Sequence, residues 1–139
     1  MTTKALSTII EEVEKQKTVE KQAKILQENS SKALKMIVGF AMDPTVKWLL
    51  PEGEPPHKPL VQSTDTEGRL IGDIRMLNYF VDSEEGRPIK QLRREQLFVQ
   101  LLESVDPKDA KLLIRVKDKK LKIKKEAVKI AFPGISAHW

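Results

Sequence analysis

The sequence predicts a single all-α domain, and three observations support that prediction. The chain has 139 residues, of which 40% are hydrophobic and 32% charged, a composition typical of one soluble globular domain. Apolar residues recur with helical spacing in both halves of the chain. Stretches that alternate with the period of a strand are short, and the nearest candidates are residues 112–116 and 119–123.

Residues 1–50 are predicted to form three helices and a short helical piece. Thr3 is the expected N-cap of the first helix, Thr18 that of the second, and a serine of the pair Ser30 and Ser31 that of the third. A short helical piece after Pro44 is expected to contribute to the core. The inward-facing residues are expected to be Leu6, Ile9, Ile10, Val13, Val19, Ala23, Leu26, Leu34, Ile37, Val38, Ala41, Val46, Trp48, Leu49 and Leu50.

Residues 51–68 differ in composition from the segments on either side. Four prolines fall within nine residues, at positions 51, 55, 56 and 59, and proline disrupts both helices and strand ladders. We expect a surface loop that joins two halves of one domain, with His57 as an exposed loop residue.

Helical spacing resumes in residues 69–134, followed by a tail at 135–139. Leu70, Ile74, Leu77 and Val81 mark one helix, which Gly86 is expected to end as a left-handed C-cap. Pro88 is expected in the first turn of the next helix, which would bury Ile89, Leu92, Val99 and Leu102. Asp106 and Pro107 form an N-cap and N1 pair that opens a helix through Lys117. A last helix is expected over about residues 122–132, ending at Pro133 and Gly134.

The positive charge of the chain is concentrated near its C-terminal end. Residues 111–129 contain nine bases and two acids, so this segment carries +7 and the remaining residues −2, for a total of +5. On a helical wheel, Lys122, Lys125 and Lys129 form a stripe opposite Ile123, Ala127 and Ile130. Such a basic zone can contact phosphates or can be an ordinary solvated face, and charge alone does not decide between them.

The sequence offers no recognisable active site. It contains no cysteine and two histidines, which excludes disulfides and thiolate zinc sites. Gly-rich phosphate loops, His-Glu-x-x-His and Ser-His-Asp sets are absent. No apolar stretch is long enough to span a membrane, and residues 1–20 lack the apolar core of a secretory signal. We therefore expect a cytoplasmic protein that is not an enzyme and has no catalytic residue, metal or cofactor.

Two stretches together resemble a known DNA-binding domain. They are "LSTIIEEV…TVEKQAKILQENSS…LKMIVGFAMDPTVKWLL" and "DPKDAKLLIRVKDKKLKIKKEAVKIAFPG", the latter spanning residues 106–134. Both resemble the N-terminal DNA-binding domain of ATP-dependent DNA ligases, in the compact form found in large tailed phages. The matching positions of the second stretch are Leu112, Leu113, Arg115, Lys120, Leu121, Lys122, Ile123, Ala127, Ile130, Phe132, Pro133 and Gly134.

The resemblance departs from the ligase pattern at three points. Lys124 stands where those ligases have glycine, and Lys120 stands where they have aspartate. The Lys-x-Asp-Gly motif of the adenylation domain is missing, since the chain contains no Asp-Gly pair. The resemblance therefore implies an all-α DNA-binding domain without ligase chemistry.

The leading hypothesis is a non-catalytic phage accessory protein that contacts the backbone of double-stranded DNA. Because lysine acts as a point charge, we expect little sequence preference, and four to six phosphate contacts would give a log–log salt slope of roughly −4 to −5. The alternative is an adaptor that docks on a replication, transcription or virion protein, with the tail ISAHW as an anchor or folded back on the core. The candidate DNA contacts are Arg115, Lys117, Lys119, Lys120, Lys122, Lys124, Lys125 and Lys129. Arg93 and Arg94, expected on an exposed face of the helix that starts near Pro88, are weaker candidates.

Overall fold

Six α-helices and one 3-10 helix make up the regular structure of the computed structural model, which describes residues 5–58 and 74–135. Within those residues the β structure is limited to one isolated bridge, between Trp48 and Val81. The all-α prediction is therefore confirmed. In chain order the elements are α1 (Leu6–Glu14), α2 (Val19–Glu28), α3 (Lys32–Met42), the 3-10 helix (Ile74–Phe80), α4 (Gln91–Ser104), α5 (Pro107–Lys117) and α6 (Lys125–Ala131).

The first three helices follow the predicted pattern closely. Thr18 and Ser31 are the N-caps of α2 and α3, and their hydroxyl oxygens accept the N–H groups of Lys21 (3.3 Å) and Leu34 (3.1 Å). Helix α1 begins at Leu6 with Ala5 at its N-cap, and Thr3 lies outside the described residues. The apolar stripes of α1 and α3 are fully buried, as the 3.6-residue spacing predicted.

The prediction of a short helix after Pro44 is wrong. The carboxylate of Asp43 accepts the N–H (2.8 Å) and the hydroxyl (2.7 Å) of Thr45, and this local turn ends α3. The chain then runs alongside the end of the 3-10 helix, where Leu49 N–H donates to Phe80 O at 2.8 Å. Trp48 is half-buried here and packs edge-on against Phe40. Tertiary backbone pairing thus replaced the expected helical turn.

The region before α4 also departs from prediction. Residues 74–80 form a 3-10 helix rather than an α-helix, and Leu70 lies outside the described residues. Gly86 was expected to have a left-handed backbone, but it does not. Among the described glycines, only Gly53 has a positive φ. Instead, a Cβ at Gly86 would lie 2.2 Å from the carbonyl oxygen of Val81, so close backbone packing requires glycine.

Helix α4 starts later than expected, and a different set of its side chains is buried. It begins at Gln91, so Pro88 precedes it, and Leu92 is 70% exposed instead of buried. The helix buries Phe98 and Leu101 together with the guanidinium of Arg94. The sequence had placed Arg94 on an exposed face, which the structure corrects.

The last two helices meet the rest of the chain through one hydrophobic core. Asp106 caps α5 by accepting the N–H of Lys108 at 2.9 Å, with Pro107 at N1, as predicted. Helix α6 packs against α2, while α5 packs against α1, α3 and α4. Buried residues from all seven elements join a single cluster. No helix among the described residues has the length and apolar character needed to cross a membrane.

Helix α6 is shorter than expected. It starts at Lys125, so Lys122 and Ile123 precede it, and the predicted lysine stripe is not a feature of one helix. Ile130, expected to be buried, is 52% exposed, and Val128 takes its place in the core beside Ala127. The aromatic and the Pro-Gly pair do follow the helix directly, with Phe132 as its C-cap.

Candidate nucleic-acid interface

The basic residues of the segment 111–129 divide into those bonded to protein acceptors and those without an ion pair to any described residue. Lys117 is the clearest member of the first group, because its side chain is 2% exposed. Its ammonium forms an ion pair with Asp118 and donates to the carbonyl oxygen of Pro51 at 2.8 Å. Asp118 also accepts the N–H of Gly53 at 3.1 Å. Lys117 therefore fastens the proline-rich segment to the end of α5 and cannot contact DNA in this arrangement.

Lys119 and Lys120 point toward the same part of the molecule. The ammonium of Lys119 donates to the carbonyl oxygens of Val46 (2.7 Å) and Asp43 (3.1 Å), just after α3. The ammonium of Lys120 lies 3.7 Å from the carboxylate of Glu52, and both side chains are exposed. Both cations are thus directed to residues 43–53.

Arg115 is bonded to α1. Its guanidinium forms a two-pronged ion pair with the carboxylate of Glu14, one prong of which is Nη1 to Oε1 at 3.0 Å. It also donates to the carbonyl oxygen of Lys120 at 3.3 Å. Because Glu14 neutralises this charge, Arg115 is not a free phosphate contact.

The two arginines of α4 have different positions. Arg94 is buried and donates to the carbonyl oxygens of Gly86 (2.8 Å), Ile89 (2.9 Å) and Tyr79 (3.3 Å). It therefore closes the turn before α4 and cannot reach a ligand. Arg93 is exposed and has no ion pair with the described residues, but it lies on α4 and not beside α6.

Four exposed lysines on α6 and on the residues that lead into it form what we call the lysine surface: Lys122, Lys124, Lys125 and Lys129. Lys111 is also exposed, but it lies on α5. None of the four lysines of this surface has an ion pair with the residues that the structure describes. Lys125 and Lys129 are one helical turn apart on α6, whereas Lys122 and Lys124 lie on the segment that leads into it. The surface is therefore built from α6 and its approach, not from one helical stripe.

Helix α3 adds a cation that the sequence analysis did not include. The ammonium of Lys35 lies 5.8 Å from the ring centroid of Phe132, at the C-terminal end of α6. Nothing in the local sequence around Lys35 indicates this neighbour, since the two residues lie far apart in the chain.

Comparison with protein families assigns the chain to a family. A family model matches residues 9–123, most of its length. The chain belongs to DUF6433, a family of unknown function. No curated protein and no solved structure matches it. The match begins within α1, continues through α5 and ends two residues before α6, so it includes Lys122 but not the rest of the lysine surface.

Two observations on this DUF6433 chain concern small ligands. Across residues 5–58 and 74–135, no three His, Cys, Asp or Glu side chains are placed to hold a metal ion. A cavity of about 230 Å³ lies beside the proline-rich segment and is lined by apolar groups of Leu50, Pro55 and Phe98, with Glu95 and Lys117 also at its wall. The ammonium of Lys117 is already bonded to Pro51 and Asp118.

Proposed function

We propose that this chain is a non-catalytic DNA-binding module that contacts the duplex backbone through the lysine surface. The observation that supports this most directly is that four exposed cations cluster around α6 without an ion pair to any described acid. Grouped like charges repel one another, and although α6 also carries the exposed Glu126, the net positive field of these four lysines attracts a polyanion. Lys35, beside the end of α6, extends the same field.

Two features favour the backbone of a duplex over single-stranded bases. Proteins that grip single strands use exposed aromatic rings on which bases stack. The large hydrophobic residues exposed in the described part are Tyr79, Leu92 and Ile130, and the one aromatic among them lies on the 3-10 helix. Lysines, in turn, neutralise phosphates without reading base edges, which supports weak sequence preference.

The resemblance to ligases of large tailed phages supports the same proposal from the sequence. It implies that the segment around Lys120 and Lys122 belongs to a DNA-binding domain, and it favours a phage accessory protein. The structure narrows the contact set, because Arg94 and Lys117 are buried and Arg115 is neutralised by Glu14.

The experiment compares two triple variants that change net charge equally. The first replaces Lys122, Lys125 and Lys129 with Glu; the matched control replaces Lys90, Lys108 and Lys111, which are exposed on α4 and α5 or at their starts. Binding to a short labelled duplex is measured by fluorescence anisotropy at several salt concentrations. We expect a wild-type log–log slope of about −3 to −4 for four neutralised phosphates.

The first variant should lose more than about tenfold in affinity, and the control should change far less. Equal losses in the two variants would show that net charge, not this surface, sets the binding. A wild-type chain that fails to bind duplex at low salt would instead favour the alternative, a protein-interaction adaptor. Leu92, apolar and 70% exposed on α4, is the feature that fits such a role.

A further inference from the structure

Residues 120–124, which lead into α6, form a non-helical strip with alternating burial. Leu121 is half-buried and Ile123 is 6% exposed, whereas Lys120, Lys122 and Lys124 point outward. The strip has no neighbouring strand among the described residues, so its backbone N–H and C=O groups need other partners.

Two side chains from the N-terminal helices supply those partners. The carboxylate of Glu14 accepts the N–H of Lys122 at 2.6 Å. The amide oxygen of Gln22 accepts the N–H of Lys124 at 2.9 Å, and its nitrogen donates to the carbonyl oxygen of Lys122 at 3.4 Å. Together they replace the hydrogen bonds that a neighbouring strand would make.

The environment of these two side chains makes the contacts specific. Gln22 is 2% exposed, and its nitrogen also donates to the carbonyl oxygen of Gln16 at 3.2 Å. A buried amide is costly unless it is hydrogen-bonded, so its orientation is fixed by these three partners. The Glu14 side chain is 13% exposed and is held from the other side by Arg115. We call Glu14 and Gln22, with their hydrogen bonds to the strip, the brace. Through these two residues and Arg115, the brace joins α1, α2 and α5 to the strip.

We infer that Gln22 and Glu14 are positioning residues of the lysine surface. They touch no ligand; they hold the backbone of Lys122 and Lys124 in one geometry before DNA arrives. A flexible segment that carries lysines loses conformational entropy when it binds, and holding the backbone in place beforehand lowers that cost. This inference rests on the proposed function, because it concerns the same surface, but it makes a separate claim about how that surface is held.

The test uses Gln22→Met, which preserves the charge and approximate size of the side chain and removes its hydrogen bonds. The matched control is Gln27→Met, at an exposed position of the same helix. Duplex affinity is measured as above, and amide hydrogen exchange of Lys122 and Lys124 is measured by NMR without DNA. We expect the Lys124 amide to exchange faster, duplex affinity to fall roughly three- to tenfold, and the salt slope to stay unchanged.

Each outcome has a distinct meaning. If the Lys124 amide exchanges faster in the variant but duplex affinity is unchanged, the positioning role alone is overturned. If the exchange rate of the Lys124 amide is unchanged, the hydrogen bonds of Gln22 do not hold the strip, and the brace itself is overturned. Failure of the wild-type chain to bind duplex overturns the proposed function, and the positioning role with it. If Gln22→Met does not fold, Gln22→Asn, whose neutral amide is one methylene shorter, serves on the same readouts, with faster exchange of the Lys124 amide and the same affinity loss required.

Discussion

Two adjacent stretches of this chain carry the same number of candidate cations but differ in what those cations contact. In residues 115–120, the cations of Arg115, Lys117, Lys119 and Lys120 all meet acidic groups or carbonyl oxygens of the protein. In residues 122–129, the four cations of the lysine surface have no ion pair with a described residue. A run of basic residues is therefore not one surface, and its members must be separated by what lies opposite each of them.

The partners of the first stretch explain why the sequence could not make this separation. Glu14, the carbonyl groups of residues 43–51 and the carboxylate of Glu52 all lie far away in the chain. Once Lys117 and Asp118 are buried together, their charges hold the end of α5 against residues 51–53. The first stretch thus stabilises the fold, and the second is available for a ligand.

The largest expected effect comes from Lys117→Met. Removing the ammonium leaves the carboxylate of Asp118, whose side chain is 5% exposed, without its counter-charge. Breaking a buried pair in this way costs about 3–5 kcal/mol of unfolding free energy. The control Lys125→Met, at an exposed position, should change it by less than about 0.5 kcal/mol. Urea denaturation followed by circular dichroism measures both, and a Lys117→Met loss below about 1 kcal/mol would remove the distinction between the two stretches.

Prediction from sequence succeeded where local rules decide the structure. The caps at Thr18, Ser31 and Asp106 and the buried stripes of α1 and α3 follow from side-chain chemistry and 3.6-residue spacing, and all are observed. It failed where tertiary contacts outweigh local preference, as in the pairing of Trp48 with Val81 and the close backbone packing at Gly86.

The candidate site was predictable only in part. The basic composition of residues 111–129 drew attention to α6 and its approach, where the lysine surface lies. The burial of Lys117 and Arg94 could not be seen from composition, because a lysine or arginine is normally expected at the surface. The roles of Glu14 and Gln22 were also hidden, since each bonds to residues about a hundred positions away.

A smaller effect is expected at Lys119, which has a left-handed backbone with φ of 55°. It follows the end of α5, where its N–H donates to the carbonyl oxygen of Val116 (3.1 Å) and the next N–H donates to that of Arg115 (2.8 Å). Glycine is favoured there, and a residue with a Cβ costs about 1 kcal/mol. Lys119 nevertheless contributes its bonds to the carbonyls of Asp43 and Val46.

Comparing Lys119→Gly with Lys119→Ala separates the two contributions. Both variants lose the ammonium, but only glycine relieves the backbone strain. The glycine variant should therefore be more stable than the alanine variant by about 1 kcal/mol in urea denaturation. Equal stabilities, or a more stable alanine variant, would show that the turn after α5 is not strained, and the first stretch would then contribute through its side chains alone.

The smallest expected effect concerns a second buried carboxylate, that of Asp109. Asp118 has a buried counter-cation in Lys117, whereas Asp109 has no counter-cation among the described residues. Asp109 is 1% exposed, and its carboxylate accepts the N–H of Ser7 at 3.2 Å, at the start of α1. Burial raises the pKa of Asp109 above its ordinary value of 3.8, and the hydrogen bonds from Ser7 offset this only in part.

Since the folded state binds this proton more tightly than the unfolded state, Asp109 contributes stability that is fully present below pH 3.8 and is lost as the pH rises through the raised pKa. Asp109→Asn keeps an oxygen for the N–H of Ser7 and carries no charge at any pH. The variant should therefore be slightly more stable than the wild type at neutral pH, with the difference disappearing as the pH falls toward 3.8. Urea denaturation at both pH values measures this. A variant that is less stable at neutral pH would show that the ionised carboxylate stabilises the start of α1, so that a buried charge in this protein can do without a counter-cation.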